Sequence, residues 1–294
     1  MRRFSRATLC IVFVLAMAFG AGVSVAGDAA EDLADLRAAA EQGFADAQYN
    51  LGAMYFTGKG VAEDYAEAVK WTRRAAEQGH ATAQFNLGVM YDNGNGVPED
   101  DAEAVKWYRR AAEQGDARGQ SNLGFMYSNG KGVPQDYAEA VKWYRLAAEQ
   151  GHARAQSNLG NMYHNGRGVP QDDAEAAKWY RLAAEQGNAT AQSNLGVMYE
   201  FGNGVPQDHA EAVKWYRLAA EQGHDRAQTN LGVMYDNGNG VPQDYVRAHT
   251  WFNLAASRGN PNGSKNRDIV AKRMTPAQIA EAQRLAREWK PKPE

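Results

Sequence analysis

Residues 116–151 read DARGQSNLGFMYSNGKGVPQDYAEAVKWYRLAAEQG, and this stretch decides the fold. Ala117 to about Tyr127 reads as a first helix, A. Asn129-Gly130-Lys131-Gly132 is a breaker-rich turn. Pro134 follows, and Asp136 opens a second helix, B, with Glu139 three residues on, the spacing of a capping-box variant. Gly151 falls just past the end of B, where a left-handed residue is wanted. A single helix pair presents an apolar face that it cannot bury alone, so the stretch needs neighbours of its own kind.

The neighbours are present at a fixed period of 36 residues. A-A-E-Q-G ends at Gly43, Gly79, Gly115, Gly151, Gly187 and Gly223, and A-A-S-R-G closes a further copy at Gly259. N-L-G recurs from Asn50 to Asn230, and G-x-G-V from Gly58 to Gly238. The Asp-x-x-Glu pair repeats at Asp64/Glu67, Asp100/Glu103, Asp172/Glu175 and Asp208/Glu211. The pattern predicts an all-α solenoid of six helix-turn-helix repeats over residues 44–259: 44–79, 80–115, 116–151, 152–187, 188–223 and 224–259. Residues 27–43 read as an N-terminal capping helix. Residues 260–294 read as C-terminal capping helices and a tail. Within them, Thr275-Pro276-Ala277-Gln278 combines a cap, Pro at the first helical position and Gln at the third.

Helix A holds a Gly in its interior in every repeat (Gly52, Gly88, Gly124, Gly160, Gly196, Gly232). Each costs roughly 1 kcal/mol against Ala. Close approach by bulky partners such as Tyr127 and Trp143 is the expected reason, with these aromatics acting as core.

The repeated pattern A-x-x-Q-x-N-L-G-x-M-Y-x-x-G-x-G-V-x-x-D-x-A-E-A-x-K-W-Y-x-x-A-A-E-Q-G resembles the Sel-one-like repeat, a relative of the tetratricopeptide repeat with a longer turn inside the repeat. The resemblance covers residues 44–259. It implies a right-handed superhelix of antiparallel helix pairs and an adaptor or scaffold role. Bacterial exported members of that family act in envelope signalling, host interaction and assembly of secreted complexes. One cysteine-rich branch is linked to penicillin binding, and this chain lacks the paired cysteines of that branch.

The N-terminus reads as a secretory signal peptide over residues 1–26. Arg2, Arg3 and Arg6 form a positive segment, Leu9 to Ala18 a short apolar core, and Ser24-Val25-Ala26 a small-x-small cleavage site. The expected location is therefore the periplasm or the exterior. Cys10 is the single cysteine and lies in the segment to be removed, so no disulfide is expected. Cleavage leaves 29 basic against 35 acidic residues, a net charge near −6. That balance argues against nucleic acid or an anionic membrane as the main partner.

Motifs for chemistry are weak. Ser128-Asn129-Gly130-Lys131 matches Ser-x-x-Lys of penicillin-recognising enzymes. In those enzymes the motif opens a helix, whereas here it falls in the Gly-rich turn. His80, His152 and His224 share one repeat position but stand two repeats apart. Packed helices lie about 8–10 Å apart, so these histidines cannot share a metal ion. They read as surface residues near a helix start. The Asp92 to Gly96 and Asp236 to Gly240 loops lack the ligands of a calcium site. The Gly-x-Gly pairs follow a helix rather than a strand, so no dinucleotide fingerprint forms. No catalytic residue, metal or cofactor is expected.

Variation between repeats points to a binding face. In helix A the third, sixth, tenth and thirteenth positions vary and fall within about 80° of arc. This stripe is expected to be free of packing constraint. It carries Arg118, Arg154 and Arg226 on the first rail and Phe85 on the second, with Ser121, Ser157 and Ser193 among its equivalents. Phe125 lies on the third and His164 on the fourth. Asn122 and Asn158 border it, either to bond a peptide backbone or to tie one repeat to the next. In the resembling folds helix A lines the concave surface. The expected function is an exported scaffold that holds a protein or peptide in that groove, with Arg118 and Arg154 beside Phe125 as anchor. The alternatives are a structural spacer without a groove ligand and, remotely, a penicillin-binding or β-lactamase-like hydrolase. Helix B, with Glu139, Lys142, Arg145 and Glu149, reads as a solvated outer face.

Overall fold

The computed structural model describes residues 28–292, so the signal-peptide reading of residues 1–26 and Cys10 lie outside the described residues. Fifteen helices follow one another, with no strand among the described residues. They are α1 (Asp28–Glu41), α2 (Ala45–Thr57), α3 (Tyr65–Glu77), α4 (Ala81–Asn93), α5 (Asp101–Glu113), α6 (Ala117–Asn129), α7 (Tyr137–Glu149) and α8 (Ala153–Asn165). Then come α9 (Asp173–Glu185), α10 (Ala189–Phe201), α11 (His209–Glu221), α12 (Asp225–Asn237), α13 (Tyr245–Ser257), α14 (Pro261–Ala271) and α15 (Pro276–Glu288). Even-numbered helices from α2 to α12 are the A helices, and each packs on the B helix after it. The chain is an all-α solenoid that divides into two compact units, one ending at Gln114 and one starting at Gly115.

Five of the six interior glycines do receive an aromatic ring, but not from Tyr127 or Trp143, and Gly52 meets Thr72 instead. A Cβ on Gly124 would stand 2.7 Å from Cδ1 of Tyr144, and one on Gly160 2.7 Å from Tyr180. Gly88, Gly196 and Gly232 meet Tyr108, Tyr216 and Phe252 in the same way. The B residue one place beyond the Trp turns its ring flat onto helix A, and only hydrogen leaves room for it. Among the described residues these rings are the largest of the fully buried side chains, each at most 1 % exposed.

Buried amides tie the stack together. In the first unit Gln84 donates from Nε2 to the Ala76 carbonyl (3.0 Å) and accepts from Gln114 (2.6 Å). In the second unit Gln156 donates to the Ala148 carbonyl (3.1 Å) and accepts from Gln186 (2.7 Å). Gln192 does the same with Ala184 and Gln222. Each of these glutamines thus reaches back to the preceding repeat while its own B helix reaches to it. A second tie runs outside. Arg145, Arg181 and Arg217 donate to the phenol oxygens of Tyr163, Tyr199 and Tyr235 in the following repeat, at 2.7, 2.6 and 3.0 Å.

The Asp caps form as the spacing requires. Asp136 Oδ1 accepts from the backbone N–H of Ala138 and Glu139. The reciprocal half of the box does not form there, because Glu139 turns to Lys142 one turn on (3.3 Å). A complete capping box is made by Thr275 and Gln278 at the start of α15.

Candidate binding face

The A-helix stripe is built from residues of unequal freedom. On its first rail, Arg118 is folded onto its own helix cap. Its guanidinium bonds both carboxylate oxygens of Asp116, at 2.6 and 3.2 Å. Arg154 is exposed and lies over the Phe125 ring at 5.6 Å, with no ion pair among the described residues. The structure therefore brings Arg154 and Phe125 together while Asp116 offsets the charge of Arg118. Arg226 is exposed and likewise holds no ion pair among the described residues.

The second rail departs from the expected free stripe. Ser121, Ser157 and Ser193 are buried, at 1, 3 and 0 % exposure, and Thr229 bonds the Asp225 carbonyl of its own helix. Small side chains stand there because the helices approach closely, so the variation records packing and not ligand contact. Phe85 belongs to the first unit, where its ring meets Tyr108 at 6.0 Å.

The fourth rail is committed to the core tyrosines. Tyr108 reaches Asp92 (3.2 Å), Tyr144 reaches Ser128 (3.3 Å) and Tyr216 donates to Glu200 (2.6 Å). Ser128 also donates to the Phe125 carbonyl, so the hydroxyl of the Ser-x-x-Lys match is held at a helix end rather than at a helix start. In the fourth repeat Tyr180 donates to Asn161 instead (2.7 Å), and His164 turns to Asp173 (2.7 Å). Burial raises the Tyr144, Tyr180 and Tyr216 phenols above the usual tyrosine range. Asn158, Asn194 and Asn230 reach these phenols from the next repeat, and Asn194 also donates to Asn161 (3.3 Å). The Asn amides of this unit thus lie along the seam between repeats. Asn122 is half-buried.

The three related histidines are helix caps. His80, His152 and His224 accept through Nδ1 from the N–H of Ala83, Ala155 and Ala227, at 3.1, 3.2 and 3.2 Å. Asp116 and Asn188 hold the same position in two of the other repeats and cap in the same way, which is the signal in the sequence that identifies the role, and Phe44 in the first repeat makes no side-chain cap. Burial lowers the pKa of His152 and His224 from the ordinary 6.5, with Arg154 adding to the effect at His152. An imidazole must be neutral to accept at Nδ1. The depressed folded pKa therefore contributes stability that is complete above about pH 6.5, the unfolded value. That stability is lost as the pH falls from there through the lower folded pKa. Acidification from about pH 7 to about pH 5 is expected to lower the Tm. Replacing both by His152→Asn and His224→Asn, as at Asn188, should keep the caps and reduce the drop. Thermal melts at the two pH values check this, and an undiminished drop in the double variant would show that the histidines are not its source.

Among the described residues no group of three or more His, Cys, Asp or Glu side chains is placed to hold a metal ion, and no helix is long and apolar enough to cross a membrane. What the face offers in the second unit is exposed cations beside a partly buried aromatic ring on stacked helix pairs, the form of a protein-binding repeat scaffold. The Sel1 repeat model matches residues 45–80, 81–116, 117–152, 153–188, 189–224 and 225–260, and the chain belongs to the Sel1 repeat family. Sel1 repeat proteins are generally protein–protein interaction scaffolds without enzymatic activity of their own. Among solved structures, the chain is similar to a Sel1 repeat protein from Oxalobacter formigenes. That match has 35% identity and a TM-score of 0.68, covering 78% of this chain and 97% of the other. It is also similar to a protective antigen with an SLR fold present in uropathogenic Escherichia coli strains. There the identity is 30% and the TM-score 0.50, covering 91% of this chain and 88% of the other. No curated protein matches the chain.

Proposed function

We propose that this protein is an exported scaffold whose A-helix face in the second unit holds an acidic segment of a protein partner. The observation that carries the reading is Arg154. Its exposed guanidinium lies over Phe125 without a carboxylate partner, in a chain of net negative charge. An unpaired guanidinium on an aromatic ring presents a fork of donors with a flat apolar wall behind it, which suits a carboxylate on a peptide. Arg226 adds a second unpaired cation on the same rail, and Arg118 a third whose charge Asp116 partly offsets. Export rests on the charged, apolar and small-residue segments of residues 1–26. It requires that protein recovered from the periplasm or medium begin at Gly27 rather than Met1.

The reading is tested with a labelled Glu-rich peptide in a binding titration. Binding is expected to weaken as salt rises. Arg154→Glu with Arg226→Glu should weaken it at least tenfold with little change in Tm, because both groups are exposed and exposed charges contribute little to stability. Lys70→Glu with Lys106→Glu, on exposed B-helix positions, should leave it nearly unchanged. If the B-helix pair abolishes binding and the A-helix pair does not, the partner docks elsewhere and the assignment of the face is wrong.

A further inference from the structure

The B helices carry a row of leucines that the fold leaves in solvent. Leu146, Leu182 and Leu218 occupy one repeat position on α7, α9 and α11 and are 40, 45 and 40 % exposed. The row begins with the third repeat. In the first two, Arg74 and Arg110 stand there with their guanidinium groups over Trp71 and Trp107, at 4.6 and 4.5 Å. It ends at Leu254 on α13, which is only 6 % exposed. The difference is α15. Thr250 donates to the Ala282 carbonyl (3.3 Å), and Trp289 meets both Trp251 (6.4 Å) and Arg258 (5.7 Å). Leu254 lies between Thr250 and Arg258 on the same helical face. The chain thus covers this position with a helix in its last repeat and leaves three copies of it open.

The surroundings of the open copies identify what covers them. Each leucine sits in the line Lys142-Leu146-Glu149, Lys178-Leu182-Glu185 or Lys214-Leu218-Glu221, with spacing i, i+4, i+7 along one face. The lysine stands about 6 Å toward the start of the helix and the glutamate about 4.5 Å toward its end. The surface is therefore three parallel rows: cations, leucines, anions. A surface of this kind complements itself when turned over about the leucine row. That two-fold sets leucine against leucine, each lysine against a glutamate of the second copy, and the B helices antiparallel. Turning it about the helix direction would set lysine on lysine. Glu149 and Glu185 hold no ion pair among the described residues, and Glu221 already accepts a lysine, Lys292 of the tail (2.5 Å). The lysines form ion pairs with their own half-buried i−3 glutamates, at 3.3, 2.9 and 3.2 Å, and Lys142 and Lys214 also lie over the Trp143 and Trp215 rings at 5.5 and 5.8 Å, surface contacts that are weak and readily shared.

We infer that the outer face of α7 and α9 pairs with the same face of a second copy of this chain, about a two-fold axis along the leucine row. Leu146 and Leu182 are at its centre and the tail bounds it near Leu218. The contact is isologous and small, so the dimer is a concentration-dependent one. It is separate from the A-helix face and stands whether or not that face binds an acidic segment.

Sedimentation equilibrium of the purified protein tests it. The weight-average mass should rise from monomer toward dimer as the concentration reaches the high micromolar range. Leu182→Lys should hold the protein monomeric with its helical circular dichroism and Tm retained. Lys178→Glu alone should weaken the dimer at least tenfold by setting glutamate against glutamate, and adding Glu185→Lys should restore it to within a few-fold. A protein that stays monomeric throughout overturns the inference and leaves the face to a helix of another protein. A dimer indifferent to Leu182→Lys, or a double variant weaker than Lys178→Glu alone, overturns it as well.

Discussion

Gly124→Leu is expected to lower the unfolding free energy by roughly 3 kcal/mol, the upper end of what overpacking costs. The first added carbon alone would stand 2.7 Å from Cδ1 and 2.9 Å from Cε1 of Tyr144. Neither partner can yield cheaply. Tyr144 is 1 % exposed, and its phenol is tied to Ser128 at the C-terminal end of α6, the helix that carries Gly124. Moving α6 away would open the seams on which its neighbours depend. The gain in helix propensity, about 1 kcal/mol for leaving glycine, is too small to compensate. Chemical denaturation measures the loss. Tyr144→Ala made together with Gly124→Leu should cost less than the two changes summed, because the ring that causes the clash is gone. Ser128→Ala is the control and should cost about 1 kcal/mol or less. Equal effects of Gly124→Leu and Ser128→Ala would remove the ring-on-glycine account of the core.

Gln156→Leu is expected to cost about 1–2 kcal/mol although leucine is close in volume and apolar. Gln156 is 4 % exposed and serves two partners, the Ala148 carbonyl at 3.1 Å and the Gln186 amide at 2.7 Å. Leucine makes neither bond, each worth about 1 kcal/mol net, but the Ala148 carbonyl keeps the Gly151 N–H (3.0 Å) and the exposed Gln186 amide keeps the Leu182 carbonyl (3.3 Å). Gln186→Leu instead strands the buried Gln156 oxygen, whose donor is gone. A buried acceptor without a partner costs about 1–3 kcal/mol, so this variant should cost at least as much. The two variants, compared by the same denaturation curves, separate the amide relay from simple loss of packing. If Gln186→Leu costs nothing measurable, the relay is not what holds the seam.

The period of 36 made the helices and their order legible, because breaker clusters and caps recur at fixed places. It could not say which of two fixed aromatics faces helix A. Trp143 recurs in all six repeats and Tyr144 in four, with Thr72 and Phe252 at the ends, so recurrence favours the Trp, and only the direction of the helix face gives Tyr144 to Gly124. Variation among repeats suggested a free stripe, but the same variation arises where helices crowd, as at Ser121, Ser157 and Ser193. Position-by-position variability does not distinguish a small residue chosen for lack of room from one chosen for a ligand. Arg154 beside Phe125 was legible from spacing alone. The hold of Asp116 on Arg118 was not, since an Asp two residues before an Arg is as often only a cap. The capping glutamates were misread for a related reason. Asp-x-x-Glu is the spacing of a reciprocal cap, yet a lysine three residues further on is the stronger draw for an exposed carboxylate. The leucine row was visible in the sequence, and it became informative once α15 showed what the same position looks like when covered.

The glutamine relay carries a consequence for how such a chain changes its length. Gln48, Gln84, Gln156 and Gln192 each give eight residues back and take from thirty residues ahead, so one repeat contains a complete set of donors and acceptors for joining its twin. Duplication or loss of one whole repeat within the array leaves every buried amide matched. An insertion of any other size inside a helix strands at least one of them. The array is therefore free to lengthen or shorten in steps of one repeat and resists all other steps. Its end is written in the same chemistry. Arg258 stands where the next donor glutamine would be and Ser264 where the next acceptor would be, and the Gln228 side-chain oxygen is left buried without a partner. The series stops where its complementarity runs out, and α15 closes over what remains.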